Sequence, residues 1–421
     1  MLDIKLIREN PEIVRNAIKR KHTNVDLEMI LELDKNKREL QTRIEKARSD
    51  RNKLSKEITK ASVEEKASII SEVEKIKEFL KEAEPRFNDM EKELNYQLLL
   101  LPGIPHETVP DGNSDEDSIE IKRVGDIPEF DFEIKDHLEI GKSWFDFYRG
   151  AKVAGSRTVY LKGIGALLEQ AVLQLALNHL LEKGFTLFSV PQMVKEMAME
   201  GTGFLPRGQE ECYFLERDER YLIGTSEVPL VSYHADEIFS AKELPKKYAG
   251  FSTCYRREAG AAGKDTKGLY RIHQFQKIEQ VVFCINDLEE SKKWHYELLN
   301  NAEEILQLLE LPYRVVIVCA GEMGLPQHFK HDIECYMPGR KNYGETMSCS
   351  TMHDFQARRL NIKYREGTDL KYCHTLNNTA IATPRILIPL IEIHQQKDGS
   401  IYLPRALRKY MNNREKIERE D

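Results

Sequence analysis

The chain has no pair of cysteines at C-x-x-C spacing, and its seven cysteines all fall between Cys212 and Cys373. This argues against a disulfide framework and a zinc knuckle, and it fits a reducing compartment. No run of about 18 apolar residues occurs. The stretch Met1 to Lys21 is charged throughout, without the apolar segment of a signal peptide. A cytoplasmic protein without a membrane anchor is expected. An excess of positive charge is also lacking: 63 basic residues face 70 acidic ones, net -7. Any nucleic-acid binding must therefore use a local basic surface.

What is present is charge in quantity, 32% of 421 residues, beside 41% hydrophobic content. That suggests two or more domains, one of them an extended, solvated helical element. Steps of three and four connect Ile30, Leu33, Lys37, Leu40, Ile44, Ala47, Arg51, Leu54 and Ile58. A second seam runs through Ile69, Val73, Ile76, Leu80, Ala83, Phe87, Met90, Leu94, Gln97 and Leu101. Two antiparallel helices are expected, joined near Ala61–Glu64, roughly 50 Å long at 1.5 Å per residue. Lys37 and Arg51 interrupt the first seam, where long stems can cross apolar surface with the charge in water. Pro85 should kink the second helix. Two readings stay open: an oligomerisation rod, or an arm that meets phosphates through Arg43, Lys46, Arg48, Arg51, Lys53, Lys56 and Lys60.

Leu101-Pro102-Gly103-Ile104-Pro105 ends the rod, so residues 1–105 form one domain. Residues 106–140 are acidic and read as a linker, and residues 141–421 read as a second domain. Helices are expected over Gly165–Lys183, Asp287–Leu309 and near Ile386–Gln395. The strands between them show no regular βαβ alternation. The fold class is therefore α+β, built on an antiparallel sheet.

Three segments carry polar residues at period two, which on strands would face one way: Thr225 and Glu227, Arg256 and Glu258, Phe275 and Glu279. Alone, each looks like a solvated strand face. Between the second and third lies Ala259–Gly268, rich in glycine and alanine, which permits close backbone approach to a ligand. It is no P-loop: Glu258 stands where the first glycine belongs, and Asp265 where Ser or Thr should follow Lys264.

Tyr255-Arg256-Arg257-Glu258-Ala259-Gly260-Ala261-Ala262-Gly263, continuing through Gly268-Leu269-Tyr270-Arg271-Ile272-His273-Gln274-Phe275, closely resembles motif 2 of seryl-tRNA synthetases, a class II family. Gly184-Phe185 with Pro191 resembles motif 1. Glu200-Gly201-Thr202-Gly203-Phe204-Leu205-Pro206 and Thr225-Ser226-Glu227 resemble further family motifs. So do Ser348-Cys349-Ser350 and Asp354-Phe355-Gln356-Ala357-Arg358-Arg359. Asn377-Asn378-Thr379-Ala380-Ile381-Ala382-Thr383-Pro384-Arg385 resembles motif 3. The likeness spans the chain. It departs at Gly344, where an Arg usually precedes the family's Glu, and at Gln276, where the family varies.

The resemblance implies a seven-stranded antiparallel catalytic sheet, an N-terminal coiled-coil arm and a homodimer. It implies activation of L-serine with ATP and Mg²⁺, then transfer to tRNA(Ser), with tRNA(Sec) a further candidate. Arg256, Glu345 and Arg385 would be catalytic. ATP would be held by Arg256, Arg257, Glu258, Ile272, Phe275, Glu345, Thr346, Met347, Ser348 and Arg385, with Phe275 and Arg385 sandwiching adenine. Serine would be held by Thr225, Ser226, Glu227, Glu279 and Thr379. Mg²⁺ would sit on Glu345 and Ser348; these differ in strand parity, so a bulge or coil should separate them. A catalytically silent scaffold would have lost Arg256, Glu345 or Arg385. An enzyme charging a carrier protein would not need the basic arm.

Overall fold

The computed structural model describes residues 1–261 and 267–419. Of the glycine-rich run after Glu258, residues 262–266 lie outside the described residues. The chain divides into two compact units, Leu2–Leu101 and Pro102 onward with Met1.

In the first unit the expected hairpin forms from α1 (Leu27–Glu57) and α2 (Val63–Leu100). Asp26 caps α1 by accepting from Met29 N. Ser62 and Glu65 form a reciprocal capping box at the start of α2, satisfying amides that would otherwise lack partners. Leu40, Ile44, Leu80 and Ala83 are buried between the helices. Lys37 keeps its stem in the seam, with Nζ 5.2 Å from the Phe87 ring centre and 2.7 Å from Glu91. Arg48 reaches Glu84 at 2.8 Å; the two pairings run in opposite directions along the chain, as antiparallel packing requires. α2 continues as helix on both sides of Pro85.

The second unit is built on an eight-stranded sheet. Its strands in chain order are β1 (Ile119–Val124), β2 (Thr186–Ser189), β3 (Lys246–Tyr255), β4 (Gln274–Cys284), β5 (Tyr313–Ile317), β6 (Phe329–Met337), β7 (Asn342–His353) and β8 (His374–Thr383). Their spatial order is β1-β5-β6-β7-β8-β4-β3-β2. All neighbours are antiparallel except β2 and β3. The sheet exceeds the expected seven strands because β1 comes from the stretch expected to be a linker. It is an exposed edge strand in which isoleucines alternate with charged residues, so its composition looks like that of a loop.

Helices α3 (Phe147–Ala154), α4 (Ile164–Glu182), α5 (Glu227–Ser232), α6 (Leu288–Leu308), α7 (Phe355–Arg359) and α8 (Leu387–Ile393) complete the frame. α4 and α6 cover one face of the sheet, burying Leu168, Val172, Leu298 and Ile305 with Ile278 and Val282. α4 is apolar and long enough to cross a membrane by length and composition alone, yet nine of its residues are buried inside this unit. All seven cysteines are buried and free.

Two of the three polar segments are not strands. Thr225 Oγ1 accepts from Glu227 N at 3.2 Å, a local turn that starts α5 at Glu227. β3 stops at Tyr255, and Glu258 has a positive φ of 54°, incompatible with extended backbone. The period-two pattern there reflects a turn and a strand exit.

Candidate active site

The polar floor is carried by β4, β8 and β7, on the face opposite α4 and α6. Phe275, Lys277 and Glu279 alternate on β4 and line a cavity of about 400 Å³. On β8, Asn377 and Thr379 face the same space. The register then shifts: Ile278 pairs with Ile381 but Glu279 with Thr379. This bulge at Ala380 moves the lining from odd positions to Ala382. On β7 the expected bulge is present, because Ile333 pairs with Met347 and Glu334 with Glu345. Thr346 is the extra residue, and it lets Glu345 and Ser348 line one cavity despite their parity. Arg256, Glu258, Thr225 and Glu227 reach the cavity from loops and the first turn of α5.

One end of the cavity is lined by buried polar groups. Lys277 and Glu279 are 4% and 2% exposed and form an ion pair. Lys277 Nζ also donates to Thr225 Oγ1 at 2.7 Å and Thr379 Oγ1 at 3.5 Å, and Thr379 Oγ1 lies 3.4 Å from Glu279 Oε2. A buried lysine must be paired in this way. Beside them Glu227 accepts from Gln356 Nε2 at 2.7 Å, and Gln356 is fixed in turn by Thr375. Burial, reinforced by the Glu279 charge, pushes the Glu227 carboxyl up to about 7.

The other end is cationic. The Arg256 guanidinium lies 5.2 Å from the Phe275 ring centre. Arg385 stacks on Tyr270 at 4.3 Å, donates from Nη1 to the Glu345 backbone oxygen at 3.1 Å and faces the Glu345 carboxylate at 3.5 Å. Arg271 holds Glu258 at 2.8 Å. Burial works to raise the Glu345 carboxyl, but Lys330, then Arg385, Arg256 and Arg271 outweigh it and hold the group below its ordinary range. Lys330 pairs with Asp332 at 2.9 Å. Burial and the neighbouring Glu345 raise Asp332 to about 7 against the pull of Lys330.

Of the residues expected from sequence, Thr225, Glu227, Arg256, Glu258, Ile272, Phe275, Glu279, Glu345, Thr346, Met347, Ser348, Thr379 and Arg385 line this one cavity. Ser226 and Arg257 do not. The Ser226 hydroxyl donates to the Gly250 carbonyl at 3.1 Å, and Arg257 is exposed, with its amide on Glu211. Adenine stacking by Phe275 and Arg385 is not preformed: Arg256 covers Phe275, and Arg385 lies on Tyr270.

Sequence reading missed Lys277, Tyr270, Lys330, Asn377 and Gln356. Lys277 shares the parity of Phe275 and Glu279, and Lys330, Asp332 and Glu334 alternate on β6, so two of these positions carried a legible pattern. Gly344 fits its surroundings: an added Cβ would lie 3.1 Å from both Tyr270 Cε2 and Met337 Cε. A larger residue would crowd the ring beneath Arg385.

Among the described residues no group of three or more metal-ligating side chains converges. Glu345 and Ser348 do line one wall together and offer hard oxygen donors. Such a pair suits a Mg²⁺ ion that keeps its waters and is carried mainly by phosphates, and not a protein-caged metal.

Known proteins resemble the chain over its whole length. Residues 1–105 match the seryl-tRNA synthetase N-terminal domain, and residues 213–394 match the tRNA synthetase class II core domain (G, H, P, S and T). The serine–tRNA ligase of Deinococcus radiodurans is 47% identical over 418 residues, covering 99% of this chain and 98% of that protein. The chain belongs to the seryl-tRNA synthetase family. Its relative in Dictyoglomus turgidum is 44% identical over 98% of both chains. The crystal structure of seryl-tRNA synthetase from Pyrococcus horikoshii complexed with ATP matches all of both chains, at TM-score 0.94 and 38% identity. That of the cytoplasmic enzyme from Naegleria fowleri in complex with AMP matches at 0.89 and 32%. Family membership accounts for the N-terminal hairpin and the class II sheet in one chain.

Proposed function

We propose that this protein is a serine–tRNA ligase acting in two steps. In the first, a serine carboxylate oxygen attacks the α-phosphorus of ATP. The bond to the β-phosphate oxygen breaks, leaving seryl-adenylate and pyrophosphate. In the second, a ribose hydroxyl at the 3′ end of tRNA(Ser) attacks the seryl carbonyl, and AMP leaves. The work is chiefly positioning and charge neutralisation.

Arg256, on the cationic wall, would clamp the α-phosphate with its forked donors. Arg385 would hold the triphosphate tail and, after leaving Tyr270, cover the adenine with Phe275. Glu258 would meet the adenine edge, and Ile272, Thr346 and Met347 would shape its slot. Glu345 and Ser348 would hold Mg²⁺, which supplies charge neutralisation on the phosphates when bound. Glu227 and Thr225 would meet the serine ammonium; Glu279 and Thr379 would meet its hydroxyl. The arm would bind tRNA(Ser) in a cytoplasmic homodimer, with tRNA(Sec) a further substrate to be tested.

The observation that carries this reading is the Lys277–Glu279–Thr225–Thr379 cluster at one end of the cavity. It is buried and filled with polar groups suited to a hydroxymethyl amino acid. Serine-dependent ATP–pyrophosphate exchange followed by charging of total tRNA tests it. Exchange that is absent with serine but present with another amino acid would overturn it.

A further inference from the structure

We propose that a second, basic cavity beside the active site docks the phosphodiester backbone of the RNA being charged; this rests on the function proposed above. Between Gly141 and Gly163 the chain carries Lys142, Arg149, Lys152, Arg157 and Lys162 against one acidic residue, Asp146, a local charge of +4 in a chain of net -7. The structure gathers these residues. Asp146 caps α3 by accepting from Arg149 N at 2.9 Å, pairs with the Arg149 guanidinium at 2.8 Å and lies 4.0 Å from Lys162. Lys142, Arg149 and Lys162 line one cavity of about 440 Å³, with Phe147 and Tyr148 as its aromatic lining. Three cations thus surround one carboxylate in a concave site.

The aromatic groups are unusually open. Tyr148 is 78% exposed and Tyr160 47%. A basic surface with exposed tyrosines suits a nucleotide strand, which offers phosphates to the cations and base faces to the rings.

Position supports the same partner. Gly150 packs α3 so tightly on Thr158 that an added Cβ would lie 2.5 Å from the Thr158 carbonyl oxygen. The adjacent Arg157 clasps the wall of the active site: its carbonyl accepts from His273 N at 3.0 Å, and its Nη1 donates to the Arg271 carbonyl at 3.1 Å. On the other side His137, next to Leu138 of the basic cavity, accepts from Leu269 N at 3.3 Å. Leu269 and Arg271 line the reaction cavity. Residues flanking the basic cavity thus bond to the segment 269–273, part of which lines the reaction cavity, and an RNA strand leaving the reaction cavity past this segment would meet the cations beside α3.

The decisive comparison uses full-length protein with Lys142→Gln/Lys162→Gln, which spares the Asp146–Arg149 cap, and Tyr148→Ala separately. Serine-dependent pyrophosphate exchange is expected to stay at the wild-type level. The KM for tRNA should rise roughly ten-fold in the double variant, and the log–log salt slope of tRNA binding should fall by about two, one per lysine. Tyr148→Ala should raise the KM without changing the slope. Wild-type KM and slope in both variants would overturn the proposal. So would a KM change that disappears once dimer is restored at high protein concentration, since the face would then be a subunit contact. Failure of the wild type itself to charge tRNA would strike the functional reading instead.

Discussion

At the scale of the residue, the active site is a set of charges that cannot be moved singly. Arg256 lies over Phe275 and donates weakly to the Gly224 carbonyl at 3.4 Å. Arg256→Ala should therefore leave the fold intact and lower pyrophosphate exchange by roughly 10²-fold or more, the scale of losing one preorganised electrostatic donor. Normal exchange in a folded variant would remove Arg256 from the phosphate clamp. Glu279 is different, because it already holds Lys277. A hydroxyl-reading site rejects the analogue lacking the hydroxyl by several orders of magnitude, since buried polar groups stay unpaired. Glu279→Ala should lower activation of serine far more than that of alanine. An unchanged serine-to-alanine ratio would make Glu279 a counter-ion of Lys277 only. Glu227 carries a pH dependence. Its folded carboxyl titrates near 7 against an ordinary value of 4.5, so between these limits the folded state keeps a proton that the unfolded chain has lost. Its charge thus costs stability as pH rises through that window, on the order of 3 kcal/mol when complete. Glu227→Gln should be relatively more stable than wild type at pH 8 than at pH 5 while raising the KM for serine. Parallel stability curves for the two proteins would refute the buried, raised carboxyl.

At the scale of the element, legibility followed periodicity. The heptad seams marked α1 and α2 to within a few residues, since an isolated helical hairpin has little but its own apolar stripe to pack with. α4 and α6 were legible for the same reason. Loops and edges were not. Thr225–Glu227 imitated a strand because a turn followed by a helix start also separates two polar residues by two. β1 imitated a linker because it is a short, exposed edge strand beside a run of acidic residues. The bulge at Thr346 is legible from the parity of Glu345 and Ser348, but the one at Ala380 is not, because no expected ligand lies on β8 beyond it; Arg385 follows the strand's end. The hairpin gives the element-scale prediction. Among the described residues it makes up most of a separate compact unit, Leu2–Leu101, so replacing residues 30–98 by a short linker should leave serine-dependent pyrophosphate exchange largely intact and remove most tRNA charging. Residual charging should also show a shallower salt dependence, because phosphate contacts have been removed. Full charging by the armless protein would turn the hairpin into an assembly device.

At the scale of the whole molecule, the motifs were legible in order along the chain, while their convergence was not, because it depends on sheet order: β4, β8 and β7 are neighbours although 57 residues lie between the end of β4 and the start of β7. The same convergence builds a feature that no local pattern announces. His328, His353 and His374, from the start of β6, the end of β7 and the start of β8, stack with ring centres 3.8 and 4.6 Å apart. His374 Nδ1 meets Ser291 Oγ of α6 at 2.5 Å, and nearby His295 and His331 share a 2.7 Å hydrogen bond. Burial comes first, then neighbouring imidazoles, in depressing two of the column's rings: His353 falls to about 3, His374 to about 4. Below pH 6.5 the unfolded chain protonates these rings while the folded one does not. The stability owed to the neutral forms is therefore complete above pH 6.5 and is lost as pH falls toward their folded values. For His353 the loss at pH 5.5 is about 1.4 kcal/mol, one pH unit below its unfolded value. His353 has a positive φ of 50°, which Asn tolerates well, so His353→Asn removes the titrating ring without adding backbone strain. Unfolding of the two proteins compared at pH 7.5 and 5.5 should show the variant losing less stability on acidification, by about that amount. Equal losses would mean that the column is already protonated, or solvated, in the folded protein.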